Sequence, residues 1–443
     1  MDRRATGTGM GDAPADTLFA PASGFGRAAV AVIRLSGPAA GAVLAALGGP
    51  LPAPRRLSLR TLRDPADGTE LDRALVAHFP GPATYSGEDM AELHLHGGLA
   101  VRARVLAALG RIPGCRAAGP GEFTRRAVLN GRMDLAEAEG VADLIDAETE
   151  GQRRQALRQL DGALSRQVAA WRDEAIDCLA GAEAALDFAD EGDVDEAGLE
   201  AALLGRAQTL RDALAAALAD GRRGERLREG FWVVLAGAPN AGKSTLLNAL
   251  ARREAAIVSE IPGTTRDAIE VRLDLDGLPV VLVDTAGLRE TEDAVEAEGI
   301  RRSRARIAQA DLVLALVPPG GTAPDLGGAP ALPVWTKADL LAHPPPGLAV
   351  SARTGLGLPA LLDALRERAE AGLGQGDALI TRARHRDALE RCLGHLDRLS
   401  GGGPPELMAE DLRLAVRALG EVGGHVGVED VLDRLFAGFC IGK

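Results

Sequence analysis

The sequence predicts a multidomain chain of mixed class, in which an α/β unit with a mostly parallel sheet interrupts a helical domain. Three observations predict this class. Residues 16–133 mix short β-like runs with an apolar helical run, as in a compact α+β domain. Residues 134–228 and 375–443 are largely helical in pattern, whereas residues 229–374 alternate β-rich runs with helical stretches. Residues 1–15 are expected to be a disordered extension.

The composition is globular and excludes several classes of protein. Hydrophobic residues make up 46% and charged residues 26% of the 443 residues, and the net charge of −13 argues against non-specific nucleic-acid binding over the whole surface. The four cysteines form no CxxC pair, which argues against a zinc ribbon and favours a reducing compartment. Because no apolar run approaches the roughly 20 residues of a membrane span, we expect a cytoplasmic protein without a membrane segment.

The α+β domain is uneven in charge. Residues 97–133 contain seven arginines and one acidic residue, Glu122, whereas residues 134–150 contain seven acidic residues and no basic one. Two interpretations stay open: a solvated face beside an acidic helix start, or a basic surface that receives an anion or an RNA backbone.

The two helical stretches must each bury an apolar face, and the simplest solution is that they pack on each other. The α/β unit of residues 229–374 is then an insertion, which neighbouring termini permit. Its six β-like runs are FWVVLAG, VRLDLDG, PVVLVD, DLVLALV, ALPVWTK and GLAVSA. Asp276-Gly277 is a hairpin signal between two of them, so one strand is predicted to be antiparallel.

The first of these runs ends in Gly237, which begins GAPNAGKST, and a helical run follows. This is the G-x-x-x-x-G-K-[ST] phosphate-binding loop in its required context. Gly237 and Gly242 let the backbone wrap the phosphates at the N-terminus of the helix. Lys243 reaches the β- and γ-phosphates, and the Ser244 hydroxyl suits Mg²⁺. A lysine here is informative because only three of the 50 basic residues are lysine.

Further motifs follow in the order found in GTP-binding proteins. Asp284 of VDTAG can hold Mg²⁺ through water, and Thr265 of IPGTTRD can supply a second Mg²⁺ hydroxyl. Asp339 of TKAD can accept from guanine N1–H and the exocyclic amine, which adenine lacks, so GTP is predicted over ATP. The predicted GTP contacts are Asn240, Ala241, Gly242, Lys243, Ser244, Thr245, Ser259, Glu260, Ile261, Pro262, Gly263, Thr264, Thr265, Asp284, Thr285, Ala286, Gly287, Thr336, Lys337, Ala338, Asp339, Ser351, Ala352 and Arg353.

Two positions depart from the usual GTPase pattern. Thr336 stands where the guanine motif normally has asparagine, so a somewhat weaker guanine affinity is predicted. Leu288 stands where Ras-type GTPases place a water-orienting glutamine, and a leucine cannot orient water. Hydrolysis is therefore expected to use another residue or an ion.

Three stretches are too specific for a generic GTPase: residues 16–38, 82–98 and 120–149, with FCIGK at the end of the chain. Together they resemble the MnmE family of tRNA-modification GTPases, also called TrmE or ThdF, from residue 16 to residue 443. The resemblance implies an N-terminal α+β folate-binding and dimerisation domain, a central helical domain in two parts, and an inserted Ras-like P-loop G domain. These are expected at residues 16–133, at 134–228 with 375–443, and at 229–374.

The resemblance also implies a function. Members are K⁺-activated GTPases that form homodimers and join the FAD protein MnmG (GidA) in a heterotetramer. Together they install an aminomethyl or carboxymethylaminomethyl group at C5 of the tRNA wobble uridine. The one-carbon unit comes from 5-formyltetrahydrofolate or a related derivative, and GTP hydrolysis by paired G domains drives the modification cycle.

The resemblance assigns further residues. Folate contacts fall on Arg34, Glu92, Arg132 and Lys443. Ligands of K⁺ fall on Asn240, Ser259, Ile261 and Thr264, so that the ion supplies charge stabilisation in place of an arginine finger. Glu296 falls at the water-positioning glutamate, and Cys440 at the cysteine associated with tRNA modification.

Two alternatives stay open. One is a ribosome-assembly GTPase, although the KH or second G domain that normally accompanies it is not recognisable in the sequence. The other is a folate-binding scaffold that GTP only regulates. K⁺-dependent turnover of GTP separates both from the main prediction.

Overall fold

The structure is a computed structural model, and it describes most of the chain in two compact units. The units are Met1–Glu139 with Gly423–Lys443, and Gly140–Val422. The described residues are 16–187, 196–220, 222–257, 270–284, 305–343, 345–374, 378–399, 402–424, 435–436, 438–439 and 442. The predicted extension, residues 1–15, lies outside them.

The first unit contains a six-stranded sheet with the order β3-β4-β5-β2-β1-β6, in which only β6 runs parallel to its neighbour. Its elements are β1 (Thr17–Pro21), β2 (Ala28–Ser36), α1 (Ala40–Gly48), β3 (Ser58–Arg63), β4 (Glu70–Phe79), β5 (Met90–Gly97), α2 (Leu99–Leu109), β6 (Cys115–Ala117) and α3 (Glu122–Leu129). This arrangement of strands and helices is the predicted α+β domain.

One face of this sheet packs on α1 and α2. Because side chains alternate between the faces of a strand, Ile33 and Leu35 of β2 and Leu93 and Leu95 of β5 enter this core. The intervening residues of the same strands, among them Arg34 and Glu92, lie on the opposite face.

The second unit begins with helices. They are α4 (Leu135–Asp146), whose first residues belong to the first unit, α5 (Glu150–Leu160), α6 (Ala163–Asp187), α7 (Glu196–Leu218) and α8 (Arg223–Glu229). The N-terminus of α5 carries a capping box, in which Thr149 and Gln152 satisfy each other's backbone amides.

The α/β part of the second unit has six strands in the order β12-β11-β10-β7-β9-β8. Its elements are β7 (Phe231–Ala236), α9 (Lys243–Ala251), β8 (Glu270–Leu275), β9 (Leu278–Asp284), β10 (Leu312–Val317), β11 (Ala331–Trp335), β12 (Leu348–Ala349) and α10 (Leu358–Leu373). All pairings are parallel except β8 with β9. The predicted hairpin is confirmed, since Asp276 (φ 54°) and Gly277 (φ 86°) form a two-residue turn with both residues left-handed.

The chain then returns to helix in α11 (Ala383–Leu399) and α12 (Pro405–Gly423). Helix α11 packs on α7, so the two helical stretches contact each other across the α/β insertion. A nearly buried ion pair joins them, with Arg386 Nε 2.8 Å from Glu225 Oε1. No helix among the described residues is long and apolar enough to cross a membrane.

Candidate functional site

The phosphate-binding loop joins β7 to α9. Asn240 (φ 62°) and Gly242 (φ 97°) take left-handed backbone conformations that turn the chain into the N-terminus of α9. A side chain at Gly237 would lie 2.8 Å from the carbonyl oxygen of Leu316 on β10, so the close approach requires glycine. The loop is thus built by the glycines that the sequence motif specifies.

Lys243 is folded over this loop. Its side chain is buried, and Nζ donates to the carbonyl oxygens of Gly237 at 2.8 Å and Ala238 at 3.1 Å. The ammonium group therefore lies beside the helix N-terminus, where both attract an anion.

Ser244 and Asp284 lie together although they are 40 residues apart. The Ser244 hydroxyl donates to Asp284 Oδ2 at 2.7 Å, and Asp284 is completely buried at the end of β9. A hydroxyl and a carboxylate beside a phosphate loop form an oxygen donor set that fits Mg²⁺. Bound there, the ion would neutralise charge on the β- and γ-phosphates.

A cavity of about 300 Å³ adjoins the loop at the ends of β11 and β12. It brings together residues from three predicted motifs, namely Gly242, Thr245, Leu246, Thr336, Lys337, Asp339, Leu340, Val350, Ser351, Ala352 and Arg353. A hydrogen bond from the Ser351 hydroxyl, aided by the Arg353 charge, lowers the pKa of Asp339. An ionised Asp339 can accept two hydrogen bonds from guanine.

Thr336 has a role that the sequence did not indicate. It is 3% exposed, and its hydroxyl donates to the carbonyl oxygen of Ala241 at 2.7 Å. This hydrogen bond fastens the guanine motif to the phosphate loop.

The remaining predicted G-domain positions lie outside the described residues. They are Ser259, Glu260, Ile261, Pro262, Gly263, Thr264, Thr265, Thr285, Ala286, Gly287, Leu288 and Glu296. The predicted K⁺ ligands are therefore represented only by Asn240.

A second polar cluster lies on the sheet face of the first unit that α1 and α2 leave uncovered. Arg34 and Glu92 are directly opposite in β2 and β5, with Arg34 Nη2 3.1 Å from Glu92 Oε1. The Arg34 guanidinium also lies 5.6 Å from the centre of the Tyr85 ring, and His94 Nε2 is 3.2 Å from Glu92 Oε2. Burial raises the pKa of Tyr85.

Arg132 contacts the loop that carries Tyr85. Its Nε donates to the carbonyl oxygen of Thr84 at 3.1 Å. Lys443 and Cys440 lie outside the described residues, but Gly442 packs so closely on Pro21, at the end of β1, that a Cβ would lie 1.9 Å from its carbonyl oxygen. The last described residue of the chain is thus packed on the N-terminal sheet.

Sequence reasoning missed the buried network that supports the Tyr85 loop. Arg126 donates to Glu88 at 3.1 Å and to Asp16 at 2.8 Å, and Ser36 donates to Glu88 at 2.6 Å. The signal in the sequence was Glu88, one of three acidic residues within the matched segment of residues 82–98.

The arginines of residues 97–133 mostly have structural partners, so they do not form the open basic surface that was one interpretation. Arg102 and Arg126 are buried, and Arg111 and Arg116 form ion pairs with carboxylates of the same unit. Buried and paired guanidinium groups are poorly available to an RNA backbone.

The parallel sheet, the phosphate loop and the guanine-motif cavity define a P-loop protein of the GTPase class. The family model for the MnmE helical domain matches residues 135–440, and that for the GTP-binding protein TrmE N-terminus matches residues 17–132. The chain belongs to the MnmE family of tRNA modification GTPases. The predicted class of GTP-hydrolysing enzyme is confirmed by this membership.

Similar proteins match over nearly their whole length. A tRNA modification GTPase MnmE of Methylobacterium radiotolerans is 79% identical over 437 residues, 97% of this chain and 99% of the relative. That of Methylorubrum populi is 74% identical, with 97% and 98% covered, and that of Rhodospirillum rubrum 54% identical, with 97% and 99% covered. The solved G domain of the T. maritima FeoB iron transporter is 22% identical over 32% of this chain and 98% of that chain, with a TM-score of 0.24.

Proposed function

We propose that this chain is a K⁺-activated GTPase that acts with an MnmG-type FAD protein in the cytoplasm. The pair would install an aminomethyl or carboxymethylaminomethyl group at C5 of the tRNA wobble uridine, with a tetrahydrofolate derivative as one-carbon donor. One observation carries the proposal. This member of the family has both a phosphate loop with a guanine-motif cavity and the Arg34–Glu92 cluster.

The Arg34–Glu92 cluster has the chemistry that a tetrahydrofolate derivative needs. Glu92 can accept from the amino and ring N–H groups of a pterin, and the Tyr85 ring offers an apolar surface next to it. Arg132 would supply a cation for the anionic glutamate tail, and Arg34 and Lys443 would be further folate contacts.

Exposed leucines on the same sheet face support a homodimer. Leu59 and Leu75 are directly opposite in β3 and β4, and they are 66% and 41% exposed. Leu75 in turn lies opposite His94, next to the Arg34–Glu92 cluster. A second copy covering this apolar surface would bury it and adjoin the folate site.

A contact between the G domain and α5 supports the proposal that GTP hydrolysis in the G domain changes the position of the helical domain. In the chain, the hairpin of β8 and β9 lies between the IPGTTRD motif and Asp284 of the VDTAG motif, both of which are predicted to contact GTP. At its turn the Gly277 carbonyl accepts from the Gly151 amide at 3.0 Å, and Arg272 Nη1 lies 3.1 Å from Glu148 Oε2. Movement of the hairpin on GTP hydrolysis would therefore be passed to the helical domain.

We expect GTP turnover to be faster in K⁺ than in Na⁺ by about tenfold or more, because the ion would replace the missing catalytic charge. Glu296→Ala should lower the K⁺-stimulated rate by about 10²-fold if Glu296 positions the water. Initial rates in matched chloride salts measure both effects, with Glu298→Ala as the neighbouring control. Equal rates in K⁺ and Na⁺ would favour one of the two alternative functions, and a normal rate in Glu296→Ala would remove Glu296 from the mechanism.

We expect a deletion strain to lose C5 modification of wobble uridine and wild-type protein to restore it. Cys440→Ser should keep GTPase activity but fail to restore the modification, because a serine cannot form the thiolate. Cys115→Ser, in the same unit, is the control. Mass spectrometry of tRNA nucleosides gives the answer: unchanged C5 modification in the deletion strain contradicts the proposed function, and full restoration by Cys440→Ser ends the role of Cys440.

A further inference from the structure

A groove runs along α5 in the Gly140–Val422 unit. It shares no lining residue with the nucleotide cavity. It consists of two adjoining cavities that share Arg154 and Arg158. One, of about 430 Å³, is bounded by α5, α8, α10 and the hairpin turn. The other, of about 580 Å³, extends past the end of α5 to the start of α6.

Arginines dominate the charge of this groove. Its lining contains five arginines, Arg154, Arg158, Arg166, Arg223 and Arg366, against three carboxylates. In a chain with a net charge of −13, such a local positive excess marks a place where an anion is attracted.

Arg223 of the groove pairs with Asp220, and Arg166 donates to the Asp161 carbonyl oxygen, whereas Arg154 and Arg366 are held more loosely. The Arg154 side chain is 71% exposed, and the Glu150 oxygen that pairs with it lies 4.0 Å away. Arg366 lies 3.6 Å from Asp276 and 3.5 Å from Glu370. Such loose, solvated pairs contribute at most about 1 kcal/mol, so an incoming phosphate can displace them.

We propose that this groove binds the phosphate backbone of RNA. Arg154 and Arg158 are one helical turn apart on the same side of α5, about 6 Å from each other, which suits successive phosphates of one strand. Planar guanidinium groups match phosphate oxygens in pairs. None of the described residues lining the groove is aromatic, although aromatic anchors are typical of protein interfaces. The inference rests on the proposed function, in which the RNA is tRNA.

The test measures binding of fluorescently labelled tRNA to the full chain by anisotropy at several salt concentrations. We expect Arg154→Gln/Arg158→Gln to weaken binding about tenfold or more and to reduce the salt slope by about 2, because two phosphate contacts are lost. The control Arg73→Gln/Arg391→Gln removes the same charge from exposed arginines outside the groove, and its affinity should stay within about twofold of wild type. GTP turnover without RNA should be the same in all three proteins, which verifies folding.

Several results would overturn this inference. One is equal tRNA affinity of wild type and the groove variant, and another is no tRNA binding by the wild type. Polyglutamate that competes as well as tRNA would assign the groove to an acidic protein segment instead. The nucleoside experiment separates this inference from the proposed function. If the groove variant binds tRNA with full affinity and restores C5 modification, only the role of the groove in RNA binding is contradicted. If the deletion strain keeps its C5 modification, only the proposed function is contradicted.

Discussion

Lys243→Ala is expected to lower kcat/KM for GTP hydrolysis by about 10³-fold, in line with the loss of a preorganised charge at a phosphoryl-transfer site. In the structure the ammonium group lies against the carbonyl oxygens of Gly237 and Ala238. Without it, these carbonyl dipoles would face the β- and γ-phosphates with no cation between them. Nucleotide affinity should fall together with the rate.

The control for this prediction is Arg252→Ala. Arg252 ends the same helix, is exposed and carries the same charge, so its loss should leave hydrolysis within about twofold of wild type. Lys243→Arg tests geometry, because a guanidinium fork keeps the charge but does not fit a site built around a point charge. A Lys243→Ala protein that hydrolyses GTP within tenfold of the wild-type rate would contradict the assignment of this loop.

Local signals predicted the parts of the fold that depend on neighbouring residues. Asp276-Gly277 specifies a turn with two left-handed residues, and the hairpin forms there. The phosphate loop was predictable for the same reason, since its glycines and lysine act within seven residues of one another.

Interactions between distant residues could not be predicted in this way. Arg126 pairs with Glu88 and Asp16, 38 and 110 residues away, so its burial could not be predicted from the sequence. The Gly423–Lys443 segment groups with the N-terminal unit, although the sequence pattern joined it to the second helical stretch. The roles of Glu296, Cys440 and Lys443 stay predictions, because these residues lie outside the described ones.

Asp339→Asn is expected to weaken GTP binding by about 10³-fold. Guanine would lose two hydrogen bonds to a charged acceptor, which contribute about 1.5–3 kcal/mol each, and the asparagine NH₂ would face the exocyclic amine, donor against donor. The Ser351 hydroxyl and the Arg353 charge lower the pKa of Asp339, so it is ionised at neutral pH and acts only as an acceptor. An asparagine can instead accept from N1–H and donate to the 2-oxo group of xanthine, so the variant should gain affinity for XTP.

Competition of GTP and XTP for a fluorescent nucleotide measures this exchange of preference, and a variant that still prefers GTP would contradict base recognition by Asp339.

Thr336 gives the matched comparison in the same cavity. Thr336→Val should weaken both nucleotides alike, because the Ala241 carbonyl loses its donor and the phosphate loop is no longer fastened to the guanine motif. Thr336→Asn should bind GTP more tightly, since an amide is long enough to contact the base; no gain would show that the threonine already suffices. If Asp339→Asn changes the preferred nucleotide and Thr336→Val weakens both nucleotides alike, then Asp339 recognises the base and Thr336 holds the cavity in position.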